Sequence, residues 1–445
     1  RLRAVQSSAL ALRDRDVSAQ RTSTNEMLRV SIVCALAVCC TLGATGFSLG
    51  AYGLSSSRFG HLTKSPSRVP LDASTVSTAS TVESLHVPTV DSESGRITFP
   101  EWRPSASELW KKAAASVNGK LGFALEAGKG EVTGAVIDEL ISHMRAHQVI
   151  PKGVVKFVLH KAMVEFEKER TCVEIEGGGE REVVVVGDTH GQFDDVLSMF
   201  ASTGGLPNDN RCFVFNGDLV DRGPMGVEVA LLACALKCGR PHSTYVLRGN
   251  HESFRMTQRF GFLEEVITKY DQDTYFLFQR AFRALPLAAY VSVDTEPQVF
   301  VCHGGLGKQT HEMTLEELAS LQRFKEPWED AVEKEDAVAE LLWADPIGGV
   351  GAEDASWPPN RSRNLPEGYM FNEGAVKSFL ERNGLQFMVR SHQVAAQGYE
   401  AHFGGKAYTI FSAPNYCGCG NVASVMRLRL GKGEKVLSPD FLQYM

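Results

Sequence analysis

Val183-Val184-Val185-Val186-Gly187-Asp188-Thr189-His190-Gly191 is the stretch whose reading decides the fold. Four β-branched residues in succession make a short apolar run, which reads as a strand buried in a sheet core. Gly187 and Gly191 bracket a sharp turn, so a carboxylate and an imidazole are delivered together at the strand's end. A strand followed by a turn with one or two polar residues is ordinary. Recurrence of the same construction is not.

It recurs five times. Cys212–Phe215 runs into Asn216, Gly217 and Asp218, then Asp221 and Arg222. Thr244–Leu247 runs into Arg248, Gly249, Asn250, His251 and Glu252, and Val299–Cys302 into His303, Gly304 and Gly305. Gln386–Val389 precedes Arg390, Ser391 and His392, and Tyr408–Phe411 precedes Ser412, Ala413, Pro414, Asn415 and Tyr416. Ligands gather at strand ends of this kind, where loops stand on a rigid base. The side chains collected there are Asp188, His190, Asp218, Asn250, His303 and His392. Two carboxylates, three imidazoles and an amide oxygen suit borderline-to-hard divalent ions such as Mn, Fe or Zn, and an aspartate between two groups of ligands can bridge two of them. A hydrogen-bonded packing role would explain any single histidine. It does not explain the whole set at successive strand ends.

The 445 residues leave room for one large domain or two smaller ones, with extensions. Lys and Arg total 46 against 53 Asp and Glu, a net charge of −7, so no global basic field attracts nucleic acid. The ten cysteines form neither the dense framework of a small secreted protein nor paired zinc knuckles. They read as buried or semi-buried thiols in a reducing compartment, and Cys417-Gly418-Cys419 is too tight for half of a usual zinc site.

GDTHGQ, NGDLVDRG, LRGNHE, HGGL, RSH and FSAPNYC, in that order, resemble the phosphoprotein phosphatase family of Ser/Thr phosphatases. GYEAHFGGKAYTIFSAPNYC and LLWADP are most similar to its protein phosphatase 5 branch. The resemblance runs from about Lys152 to Leu430; it does not reach residues 1–101, and tetratricopeptide repeats are not seen. It implies an α/β calcineurin-like metallophosphoesterase: two packed mixed β-sheets flanked by helices, with a bimetal site at one edge. By resemblance, Asp188 and His190 bind the first ion, Asp218 bridges, and Asn250, His303 and His392 hold the second. His251 would protonate the leaving alkoxide while Asp221 orients it. Arg222 would grip phosphate oxygens, Asn250 would also touch phosphate, and Tyr416 would line the pocket. Arg248 and Glu252 are read as structural, with Arg248 in an internal ion pair.

The implied activity is hydrolysis of phosphoserine and phosphothreonine in proteins, by a bimetal-activated hydroxide in one in-line step. No phosphoenzyme is needed, so Cys417 reads as a pocket-rim thiol. Two other readings stay open: a related phosphoesterase on small phosphate esters or dinucleotides, and a membrane-tethered interaction protein that keeps the fold without turnover. The sequence departs from the family at two places. Arg363 is the nearest candidate for a second phosphate-gripping arginine, but its spacing to Phe371 is longer than usual. The loop after Cys417 is shorter than in the protein phosphatase 5 branch.

Ahead of this region, residues 1–29 form a tail and residues 30–57 carry no charge. The half VSIVCALAVCCTL is strongly apolar, and one bilayer span of about 20 residues fits the segment. The expectation is a single-pass membrane anchor with the catalytic domain on the cytosolic side. A signal peptide cleaved near Ala44-Thr45-Gly46, or part of an organelle transit sequence, competes with it. Residues 58–104 read as a Ser/Thr/Pro-rich tether, and residues 105–445 as the catalytic domain with helices at its start. Helical patterns are expected over 105–117, 136–147 and 152–170, and a glycine hairpin over Glu176–Glu180. Asn360-Arg361-Ser362 is a glycosylation sequon in an expected surface loop. The acidic run Glu326–Glu340 reads as a solvated helix face, Trp343 and Trp357 as packing residues, and Met426–Leu430 as the last strand.

Overall fold

The structure is a computed structural model, and it describes residues 89–90, 97–98, 130–328, 336–348, 355–360, 370–431 and 434–445. The tail, the apolar segment 30–57, the helix expected over 105–117 and Arg363 lie outside the described residues. Within the stretch read as a tether, Thr89–Val90 (β1) pairs antiparallel with Ile97–Thr98 (β2).

Two helices open the catalytic region. Thr133 caps α1 (Gly134–Arg145), and the helix buries Val136, Ile137, Leu140 and Met144, one face at helical spacing. Pro151 precedes α2 (Lys152–Glu167), where a proline fits because the first turn needs no amide donor. The chain then runs β3 (Cys172–Glu176), β4 (Glu182–Val186), α3 (Phe193–Ser202), β5 (Arg211–Phe215), α4 (Gly226–Gly239) and β6 (Thr244–Val246). Next come α5 (Phe254–Phe260), α6 (Phe262–Lys269), α7 (Gln272–Ala284), β7 (Ala288–Val293), β8 (Glu296–Cys302), α8 (Leu315–Ala319) and α9 (Ala337–Trp343). The remainder is β9 (Asp345–Pro346), β10 (Met370–Phe371), α10 (Glu373–Asn383), β11 (Phe387–Arg390), β12 (Tyr399–His402), β13 (Ala407–Ile410), β14 (Ala423–Leu430) and β15 (Leu437–Tyr444).

The long strands form two mixed sheets, ordered β12-β13-β11-β8-β7-β3 and β15-β14-β4-β5-β6. Side-chain alternation divides their residues between layers. Val183, Val185, Cys212, Val214 and Met426 of the second sheet meet Val291, Val299, Val301, Val389 and Ile410 of the first. The intervening Val184, Val186, Phe213 and Phe215 face the helical layer containing α2, α4 and α7. Phe300, Cys302 and Met388 pack outward against α9 and α10. This is the two-sheet, helix-flanked α/β architecture expected.

At the ends of β4 and β13 the sheets meet, through a bridge between Asp188 and Phe411. Gly187 makes this approach possible, since a Cβ there would stand 2.1 Å from the Ile410 carbonyl oxygen. The turn at Gly178 and Gly179, both at positive φ, closes on an antiparallel bridge between Gly178 and Arg181, as the glycine hairpin requires, while β3 and β4 themselves enter different sheets.

Several expectations are corrected. No helix among the described residues is long and apolar enough to cross a membrane. Residues 30–57 lie outside them, and the placement at a membrane with a cytosolic catalytic domain is withdrawn. Asn360 is buried and donates from Nδ2 to Asp345 Oδ2 at 2.7 Å, so its amide is committed inside the fold rather than offered on a surface loop. The acids Glu326, Asp336 and Glu340 are buried. Asp336 caps α9, and Glu340 accepts from the amide and hydroxyl of Thr310, so they hold loops together instead of facing solvent. β15 was missed because LSPDFLQY contains a proline and polar residues. It occupies a sheet edge, where a missing amide is tolerated.

Candidate metal centre

Each strand end delivers its side chain through a tight turn. His190, Asp218, Asp221, Arg222 and His392 all have positive φ, between 41° and 70°. Non-glycine residues adopt this region at a cost, and such residues cluster where the surrounding structure fixes a functional geometry. Buried polar groups do the fixing. Glu252 Oε2 accepts from the amides of Asp218 (2.8 Å) and Gly249 (2.9 Å), and its Oε1 from Leu219 (2.8 Å). Burial and the charge of Asp218 push its carboxyl up to about 7. Asn216 donates to Cys302 O and Ser391 Oγ, both at 2.8 Å, which ties the β5 loop to those of β8 and β11. Arg248 is fully buried and pairs with Glu326 at 3.0 Å, as expected of an internal ion pair.

On one side of Asp218, His190 Nδ1 donates to Val220 O at 3.0 Å. A carbonyl can only accept, so Nδ1 carries the proton and Nε2 presents a lone pair. That lone pair lies 3.6 Å from Asp188 Oδ2 and 3.7 Å from Asp218 Oδ2. On the other side, His303 Nδ1 donates to Asn216 O at 2.7 Å, and its Nε2 lies 3.3 Å from Asp218 Oδ1. The Asn250 side-chain oxygen stands 3.0 Å from His303 Nε2 and 2.9 Å from His392 Nδ1. The His392 amide in turn donates to Asp188 Oδ1 at 2.9 Å. Lone pairs of buried imidazoles and an amide oxygen thus converge on carboxylate oxygens.

Such a group calls for positive charge at its centre. Burial opposes protonation of His303, but Asp218 overrides it and raises the imidazole to about 9. His190 is also raised, against burial, by Asp188 and Asp218. Burial alone would lift the Asp218 carboxyl, yet His303, His251 and His190 hold it well below its usual range. A proton answers this field, and so does a divalent cation that takes the same lone pairs; the donor set fits two such ions on either side of Asp218. Among the described residues, His190, Asp218 and His251 form one group of acid and imidazole atoms that could hold an ion, and Asp218, His303 and His392 another, with the atoms of each within 4.8 Å of one another.

His251 stands in the first grouping without having been expected there as a ligand. Its Nδ1 donates to Asp221 Oδ2 at 2.7 Å, while Asp221 Oδ1 accepts from the Phe262 amide at 2.9 Å, which aims the far nitrogen toward the site. Arg222 is exposed at the mouth, with its guanidinium 3.8 Å from the centre of the Phe260 ring. Tyr416 stacks on His190, ring centres 4.8 Å apart. Phe260, Asn216 and the contact of Trp343 with His392, ring centres 5.6 Å apart, were not read from the sequence as part of the site. Asn216 and Trp343 sit inside motifs already quoted, but residue type alone did not reveal what they touch.

The model of the family described as calcineurin-like phosphoesterase matches residues 182–396, from the first residue of β4 to just past His392. Serine/threonine-protein phosphatase 5 of Homo sapiens is 34% identical over 319 residues, covering 71% of this chain and 59% of its own length. The Arabidopsis thaliana protein of the same name is 41% identical over 239 residues, covering 53% of this chain and 40% of its own. The chain therefore spans about three-fifths or less of these relatives' length. A solved structure of a protein serine/threonine phosphatase from Saccharomyces cerevisiae, titled as similar to human phosphatase PP5, superposes with a TM-score of 0.61 at 33% identity. The match covers 69% of this chain and 96% of that one. Likeness at this level across nearly all of a solved phosphatase, together with the buried acid shared by two histidine groups, makes this chain a member of the phosphoprotein phosphatase family.

Proposed function

We propose that this protein is a metal-dependent protein serine/threonine phosphatase that hydrolyses phosphoserine and phosphothreonine in one in-line step. The observation that carries the reading is Asp218, buried, with the Nε2 atoms of His190 and His303 turned toward its two oxygens. Asp188, His190 and Asp218 would hold one cation, and Asp218, Asn250, His303 and His392 the other. When bound, the ions supply Lewis acidity, which makes water nucleophilic near neutral pH and offsets phosphoryl charge.

The chain's own residues do the rest. Arg222 offers a planar fork of donors to phosphoryl oxygens at the mouth, braced by Phe260. Asn250 and Tyr416 border the same oxygens. His251 gives its Nε2 proton to the departing seryl or threonyl oxygen, and Asp221 holds the ring in the required tautomer and supports the charge it carries beforehand. These roles need no covalent intermediate, so no cysteine nucleophile is required.

The test is turnover of a phosphothreonine peptide by the full chain with Mn²⁺, beside diadenosine tetraphosphate as a competing substrate. Faster turnover of the peptide, nearly abolished by His251→Ala and Asp218→Asn, is expected. Preference for the dinucleotide would move the assignment to small phosphate esters, and inactivity under Mn²⁺, Fe²⁺ and Zn²⁺ alike would leave a binding protein.

A further inference from the structure

Beyond Tyr416 the loop carries two thiols that the chemistry above does not use. Cys417 is exposed and Cys419 half-buried, and neither is in a disulfide. Most other described cysteines are buried, and burial pushes the thiols of Cys212, Cys234 and Cys302 up to about 12. The backbone between Cys417 and Cys419 is tightly folded. Cys417 has φ 49° and Gly418 φ 80°, the Gly418 amide donates to Asn415 O at 3.0 Å, and the Cys419 amide to Tyr416 O at 2.9 Å. In consecutive turns of this kind, residues two apart keep their Cα atoms about 5 Å from each other, inside the range a disulfide spans.

The feet of the loop are fastened. Asn421 Oδ1 accepts from the Tyr416 amide and its Nδ2 donates to Ala413 O, both at 2.8 Å. Asn415 Oδ1 accepts from the Gly420 amide at 3.1 Å. The thiols therefore sit at the tip of an anchored loop, beside the tyrosine ring that covers His190.

We propose that Cys417 and Cys419 form a thiol–disulfide exchange site on the pocket rim, with a small-molecule disulfide as co-reactant. Exposure sets the order of events. The Cys417 thiolate attacks one sulfur of the disulfide, the S–S bond breaks, and the first thiolate leaves, taking up the proton that Cys417 lost. The Cys419 thiolate then attacks the Cys417 sulfur of the mixed disulfide. The Cys417–Cys419 bond forms, and the second thiolate leaves with the proton from Cys419. Two cysteine sulfurs are oxidised and one external disulfide is reduced. Ring closure tightens the loop next to Tyr416 and lowers phosphopeptide turnover, a consequence that rests on the phosphatase reading.

The experiment incubates the full metal-loaded chain with oxidised glutathione and weighs the tryptic peptide spanning residues 407–427. The wild-type peptide should lose two hydrogens. Cys419→Ser should stop at a glutathione adduct on Cys417, and Cys417→Ser should not form the ring. Turnover of the phosphothreonine peptide should fall several-fold in the wild type, return with dithiothreitol, and stay constant in the Cys417→Ser, Cys419→Ser double variant. A wild-type peptide left unmodified, or ending as a stable glutathione adduct, overturns the exchange site. Ring formation with unchanged turnover overturns its hold on the pocket. The mass readout decides the site even if the protein proves not to be a phosphatase.

Discussion

His251 depends on Asp221 for its direction. The 2.7 Å bond from Nδ1 leaves the other nitrogen to face the site, and Asp221 is itself pinned by the Phe262 amide. Asp221→Asn keeps an acceptor oxygen for Nδ1 but removes the charge that supports an imidazolium. It should lower kcat on a phosphothreonine peptide by about 100-fold, near the lower end of what general acid catalysis contributes, while metal content by elemental analysis stays unchanged. Asp218→Asn should do the opposite: metal content falls first, and activity with it. Equal losses of metal in both variants would mean that Asp221 works through the ions and not through His251. The roles of His251 and Asp221 come from the family resemblance and stand as proposals; the positions of the candidate side chains, acid, amide or imidazole at the end of an apolar run, were legible in the sequence. Contacts that join one motif to another were not, because Asn216 to Ser391 or Glu252 to Leu219 are pairings that only the sheets create.

Element by element, the strands that carry the site were the readable part. Apolar runs that end in a polar cluster announced β4, β5, β6, β8, β11 and β13, and all six are present. What failed was the reading of Glu326, Asp336, Glu340 and Asn360, whose polar groups turn inward although their stretches read as exposed. Glu340 and Asp336 look solvated by composition, yet they are buried because the Thr310 amide in a loop and the Val338 amide at the start of α9 need acceptors. Gly187 shows how narrowly the two sheets meet. Gly187→Ala would drive a methyl to 2.1 Å from Ile410 O, and should cost at least about 2 kcal/mol in urea unfolding, enough to separate Asp188 from its bridge to Phe411.

The helical layer offers a pH test. Burial, together with Arg280 and Lys156, lowers His160 of α2 to about 4. An unfolded histidine titrates at about 6.5. Between these values the unfolded chain binds the extra proton, so stability is full above 6.5 and falls as the pH drops toward 4. His160→Leu should lose about 1–2 kcal/mol less than the wild type between pH 7 and pH 5, measured by urea unfolding. An identical acid limb in both proteins would show that the imidazole is hydrated in the fold.

At the scale of the molecule, two sheets from distant parts of the chain converge on one acid. Asp188 and Asp218 come from one sheet, His303 and His392 from the other, so cations held by these residues would bind across the layer boundary and favour the folded state alone. Removing them with a chelator should lower the thermal midpoint, by about 5 °C or more if binding contributes even a few kcal/mol. No change would mean that the layers hold without them. The central claim is sharper than that, and crystals grown with Mn²⁺ test it most directly by anomalous scattering. Two peaks are predicted, one on each side of the Asp218 carboxylate, the first against His190 and the second against His303 and His392. A single peak, or peaks away from Asp218, would contradict the account.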